Sequence, residues 1–105
     1  MTHPVLGLAP EDLATLLAIL EKHVPKAEVW AFGSRVQGTE RPFSDLDLVL
    51  VDLEPLEPQR RAELAYELSE SNLPIKTDLV EWSRTSEAFR AIILRDHFVL
   101  KKKAA

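Results

Sequence analysis

The 105-residue sequence contains no cysteine, which excludes both a disulfide framework and thiolate metal ligands. That lack fits a cytoplasmic protein. No apolar run approaches the roughly 18 residues that a membrane span requires, and no basic segment followed by an apolar one opens the sequence, so no secretion signal is expected. Cations are in the minority: 13 Lys and Arg stand against 17 Asp and Glu, giving a formal net charge of -4. Nonspecific duplex binding depends on neutralising phosphates with Lys and Arg, so direct nucleic-acid binding is not expected. The one basic run, Lys101, Lys102 and Lys103, reads as a solvated tail. Glycine is scarce as well. Of only 3 glycines, Gly33 and Gly38 fall within a single short stretch.

What is present is ordinary globular material, 46% apolar and 29% charged. A chain of this length is expected to form one domain over residues 1–105 with a modest core. Leu13, Leu16, Leu17, Leu20 and Val24 recur at helical spacing and predict a helix from Pro10 to His23. Its start is favoured by Pro10 and by the acids Glu11 and Asp12, and Pro25 ends it. A strand from Glu28 to Phe32 follows, then a short helical turn from Ser34 to Gln37. Asp45 to Val51 reads as a second strand, and Asp52 to Pro58 as a loop. A helix from Gln59 to Ser71 would turn Ala62, Leu64, Ala65 and Leu68 inward. Ile75 to Trp82 reads as a third strand, and Thr85 to Asp96 as a last helix presenting Phe89, Ile92 and Ile93. Phe98, Val99 and Leu100 form a short terminal strand or a packed tail. The expected class is a small α/β (α+β) sandwich, with helices flanking a mixed sheet of three to four strands.

The chemistry concentrates between Gly33 and Asp47. Leu46, Leu48 and Leu50 share one strand face, while Asp45, Asp47, Val49 and Val51 share the other. Two acids on a strand otherwise suited to burial are costly without a cation. Their Cα atoms would lie roughly 6–7 Å apart, within side-chain reach of an ion pair held about 3.5–4 Å apart. Oxygen-only ligands select hard ions such as Mg²⁺ or Mn²⁺, which usually bind together with substrate phosphates. Gly33 lets the main chain approach a ligand closely, and a following helical turn favours phosphate. Ser34 adds a hydroxyl and Arg35 a charge suited to phosphate oxygens. Gly38 permits the return turn. Asp78, mid-strand in an apolar run, is the natural third carboxylate.

Each feature has a plainer reading. An Asp-x-Asp pair is usually a solvated strand end, and Gly-Ser after a strand is usually a turn. Asp78 has structural partners within reach in Lys76 and Arg84, and Arg35 divides between phosphate contact and surface. Ser44 reads as shaping the strand start, Arg41 as solvated, and His3, His23 and His97 as surface or packing residues. Trp30 and Phe32 read as core, and Trp82 as core or rim.

Gly33-Ser34, ten residues, then Asp45-x-Asp47 resembles the signature of the DNA polymerase β-type nucleotidyltransferase superfamily. The small size is most similar to its minimal nucleotidyltransferase (MNT) branch, the antitoxins of HEPN/MNT toxin–antitoxin systems. The resemblance implies the polymerase β-type fold. It implies that Asp45, Asp47 and Asp78 are catalytic and bind Mg²⁺ or Mn²⁺, and that Gly33 and Ser34 hold the phosphates of ATP, with Arg35 beside them. It also implies transfer of AMP from ATP to a tyrosine hydroxyl of a HEPN-domain toxin. Two other functions share the signature: masking of the toxin without catalysis, and nucleotidyl transfer to a small molecule.

Overall fold

A computed structural model describes residues 6–37, 45–52 and 54–103. The chain runs α1 (Pro10–His23), β1 (Val29–Phe32), α2 (Ser34–Gln37), β2 (Leu46–Leu50), α3 (Pro58–Glu70), β3 (Thr77–Glu81), α4 (Glu87–Arg95) and β4 (His97–Lys101). Every element expected from the sequence is found, and the tail after α4 is a strand. The readings of His3, Gly38, Arg41 and Ser44 lie outside the described residues.

Local chemistry sets the ends of the helices. Pro10 and Pro58 occupy the first turns of α1 and α3, where a missing N–H costs nothing. At the end of α1, Val24 N–H donates to Leu20 O at 2.8 Å before Pro25 prevents continuation. α4 starts at Ser86, whose hydroxyl accepts from Phe89 N–H at 3.1 Å. The third strand is shorter at both ends than the sequence suggests; at its far end Trp82 to Arg84 wind into a 3₁₀ turn.

The sheet order is β3-β2-β1-β4. β1 pairs antiparallel with both β2 and β4, and β2 pairs parallel with β3 across the α3 connection. Leu46, Leu48 and Leu50 face α1 and α3 in the larger core, with Leu16, Leu20 and Leu64 fully buried against them. The other face carries Trp30, Phe32, Val49, Val51 and Val80 beneath Phe89 and Ile93 of α4. Two expectations fail here. Ala62 and Ala65 are exposed, since Leu64 and Leu68 alone fill the inward stripe of α3. Ile92 is also exposed, because Phe89 and Ile93 take the inward side of α4.

Two polar clusters fix this frame. Glu81 is only 3% exposed. It accepts from Leu56 N–H at 2.6 Å, Arg61 Nη1 at 3.0 Å and Arg84 Nε at 2.9 Å. Three donors satisfy a carboxylate that burial would otherwise penalise heavily. Across α1 and α3, Glu67 Oε1 meets His23 Nε2 at 2.7 Å and Lys22 Nζ at 3.0 Å. His23 is thus a packing residue, buried under the helix pair. Its bond to Glu67, followed by that of Lys22, holds the Glu67 carboxyl below its ordinary 4.5.

A lowered folded value means that the contribution of Glu67 to stability is present above pH 4.5 and lost as pH falls through the folded value. Chemical denaturation of Glu67→Gln should therefore show a shallower loss of stability on acidification than the wild type. Parallel acid limbs would show that the clasp contributes nothing.

Candidate active site

β1 ends at Phe32, and Gly33 reverses the chain with φ +84°, a conformation that L side chains rarely adopt. Val36 and Gln37 N–H both donate to Gly33 O at 3.1 Å, so α2 closes directly on the glycine. Space at this position is as restrictive as backbone angle. A Cβ on Gly33 would overlap Asp47 Oδ2 and stand 3.2 Å from Asp47 Cγ. The turn and the carboxylate are therefore in contact at Gly33, and Ser34 is the next residue of that turn.

The register brings the acids together. Asp47 lies opposite Phe32 of β1 on one side and opposite Asp78 of β3 on the other. Residues opposite one another share a face, so Asp47 and Asp78 project side by side. Asp45, two residues before Asp47, precedes β2 on that same side. Asp45 and Asp78 are exposed and Asp47 is half-buried. Burial, then the charge of Asp78, then that of Asp45, raises the Asp47 carboxyl above its ordinary 3.8. The alternative pairing of Asp78 with Arg84 is absent, because Arg84 is taken by Glu81.

Three carboxylates on one face, two of them raising the proton affinity of the third, form an anionic site. The donor set fits a hard divalent ion. Among the described residues no three His, Cys, Asp or Glu side chains form a closed metal cage. The acids are neighbours by register and by field rather than a preassembled shell.

Arg35 is 4% exposed and its Nη1 donates to Leu6 O at 2.9 Å. The guanidinium thus ties α2 to the segment before α1, which overturns the surface reading of this residue. Trp82 packs as well: it meets Trp30 edge-on at 5.9 Å between centroids, with Arg90 5.0 Å over its ring. His97 is a packing residue, one of the two readings the sequence offered for it. It lies opposite Phe32, so Asp78, Asp47, Phe32 and His97 form one row across all four strands. Its ring stacks on Trp30 at 4.1 Å, and Nδ1 lies 3.2 Å from both Ile93 O and Leu94 O, which makes Nδ1 the donor.

Residues 14–105 match the family model described as polymerase beta, nucleotidyltransferase. The chain is 45% identical over 98 residues to a Haemophilus influenzae protein named "Probable protein adenylyltransferase MntA", covering 93% of this chain and 86% of that one. Among solved structures it resembles a chain of a toxin–antitoxin crystallised with AMP-PNP: TM-score 0.69, 27% identity, 84% of this chain and 71% of that one. A mutant toxin–antitoxin MntA–HpeT gives TM-score 0.68 and 25% identity, over 84% of this chain and 71% of that one.

Two outcomes follow from the contact of Gly33 with Asp47. Gly33→Ala should lower stability by about 1–3 kcal/mol from backbone strain alone, with further loss from displacing the carboxylate, measured by denaturant titration. Because the folded chain holds the Asp47 proton more tightly than the unfolded chain, the stability contributed by Asp47 falls as pH rises above 3.8. Asp47→Asn should accordingly raise the melting temperature of the metal-free protein at neutral pH, and that gain should shrink on acidification. Equal melting temperatures across the pH range would show that the acid row carries no electrostatic penalty.

Proposed function

This chain belongs to the polymerase beta nucleotidyltransferase family, and from that membership we propose that it transfers AMP from ATP to a hydroxyl of a partner protein. The acceptor in this reading is a tyrosine of a HEPN-domain toxin, and the chain is the antitoxin. The observation that carries the reading is the pairing of Asp47 with Asp78 beside the Gly33 turn. A phosphate turn thereby touches a carboxylate face open at both Asp45 and Asp78. The name of the Haemophilus influenzae relative and the AMP-PNP of the similar toxin–antitoxin structure point to the same chemistry.

In this reading Gly33 and Ser34 hold the terminal phosphates of ATP, which orients the α-phosphate over the acid row. Asp45 and Asp47 hold Mg²⁺ or Mn²⁺, with Asp78 completing the set. Such an ion, when bound, neutralises phosphate charge and favours the ionised acceptor. Asp78, exposed at the outer side of the row, accepts the proton of the incoming hydroxyl. The acceptor oxygen bonds to the α-phosphorus, and the bond to the bridging oxygen breaks. Pyrophosphate then leaves with that electron pair. Arg35 acts beneath the turn, keeping α2 in place through Leu6.

Intact-mass analysis tests the reading directly. After incubation with ATP, Mg²⁺ and the HEPN toxin, the toxin should gain one or more AMP-sized increments. Asp45→Asn should abolish the gain, and a chelator should do so reversibly. Equal neutralisation of the toxin by Asp45→Asn with no mass change would instead establish masking.

A further inference from the structure

Val80 follows Asp78 on the same face of β3, roughly 6–7 Å along the main chain. It walls a hollow of about 340 Å³ at the end of the strand, together with Phe89 from the acid side, Arg61 and Glu81 from the leucine side, and Arg84 and Ser86 beyond the strand. One carboxylate fixes two guanidiniums there. Arg61 Nη1 and Arg84 Nε meet the same Glu81 oxygen, Oε2, at 3.0 and 2.9 Å. Two positive charges against one negative leave this cluster cationic, in a chain whose formal net charge is -4. Arg84 is exposed and spends only Nε on Glu81, so both of its Nη groups lack a partner among the described residues. The nearby Ser86 hydroxyl accepts from Phe89 N–H and keeps its own proton to donate. A guanidinium held at one nitrogen, with two Nη groups uncommitted, is preorganised to bind a carboxylate or phosphate.

We propose that this hollow is an anion subsite for the acceptor: Arg84, with Ser86, binds an oxyanion carried by the acceptor and so positions the acceptor hydroxyl beside Asp78. The inference rests on the transfer reading and deepens it. The geometry of displacement gives the direction of entry. Gly33 touches Asp47 from the β1 side of the acid row, so in that reading pyrophosphate leaves toward β1. In-line attack puts the acceptor oxygen on the opposite side of the α-phosphorus. That is the β3 side, where the hollow lies. Charge supplies a second reason. The acid row repels an acceptor that carries an anionic group, and the uncommitted edge of Arg84 offsets that repulsion. Lys76, the other cation flanking Asp78, instead lines a hollow with Leu68, Leu73 and Leu79 on the leucine side. Two acceptor groups share the required chemistry: a carboxylate beside the reacting hydroxyl, and the phosphodiester of an AMP already attached. In the second case a ribose hydroxyl is the next acceptor. Its oxygen bonds to the α-phosphorus of a new ATP, its proton passes to Asp78, and pyrophosphate leaves with the electron pair of the broken bond.

Acceptor kinetics with the HEPN toxin, ATP and Mg²⁺, read by intact mass, test this. Arg84→Gln removes the guanidinium. Ser86→Asp sets a negative charge in the hollow and preserves the helix start, because aspartate caps as well as serine. Both should raise KM for the acceptor about tenfold, the equivalent of one lost charge-assisted hydrogen bond, with KM for ATP unchanged. Arg84→Lys should recover part of the loss, and Lys76→Ala should leave both KM values at wild type. A rise at the first AMP increment identifies the bound group as a carboxylate of the toxin. A normal first increment with later ones lost identifies it as the phosphodiester of the attached AMP. A defect in Arg84→Gln that Ser86→Asp does not share belongs to the Glu81 cluster and overturns the subsite. Wild-type KM values in both variants at every increment overturn it as well, and the transfer reading survives. If the wild-type chain never modifies the toxin, the transfer reading itself fails and takes the proposal with it.

Discussion

The mutual repulsion of carboxylates across the β2–β3 pairing is the constraint around which this small protein is arranged. Like charges directly opposite on a sheet are unfavourable, and Asp47 also loses solvation on the side where Gly33 presses against it. The remainder of the chain holds that arrangement in place. The leucines of β2 lock its register, because a one-residue slip would expose Leu46, Leu48 and Leu50 and bury the acids among them. At the far end of β3, Glu81 and its three donors fix the strand that carries Asp78. Stability is thus supplied by the leucine face and withdrawn at the acid face, a division common where function requires an unfavourable local arrangement.

Much of this was legible in the residues themselves. The bounds of α1 and α2 agree with the sequence because proline, glycine and first-turn acids act locally and without competition. The two faces of β2 follow from alternation alone, and so does the placement of Asp45 with Asp47. That Asp78 would stand beside Asp47 needed the strand order, which no local pattern encodes; the apolar run around Asp78 only marked it as out of place. The burial of Arg35 was illegible for a related reason. A guanidinium next to a glycine turn suggests phosphate or solvent, and the Leu6 O to which it donates is remote in sequence and is main chain. That His97 packs was legible, but its partners Trp30 and Phe32 were not, because they reach it only through the β1–β4 pairing. Ala62 and Ala65 fit the inward stripe by spacing, yet only the bulk of Leu64 and Leu68 was needed to fill it.

The candidate site is divided between the two kinds of strand in this sheet. β1, in the interior, leads into the Gly33 turn, and its position is fixed from both sides by pairing. β3, last in the strand order, carries Asp78 and is held by β2 alone among the described strands. The turn therefore rests on the more firmly anchored of the two strands.

The parallel pairing of β2 with β3 has a temporal consequence. Parallel neighbours cannot be joined by a tight hairpin, so α3 must cross over and dock before Asp78 reaches Asp47. The Gly33 turn, by contrast, closes on main-chain bonds to Val36 and Gln37, close to it in sequence. A chain cut between α3 and β3 would keep the residues of that turn and lack Asp78. The row of acids is therefore completed only by the third strand, after the helix that carries the chain across.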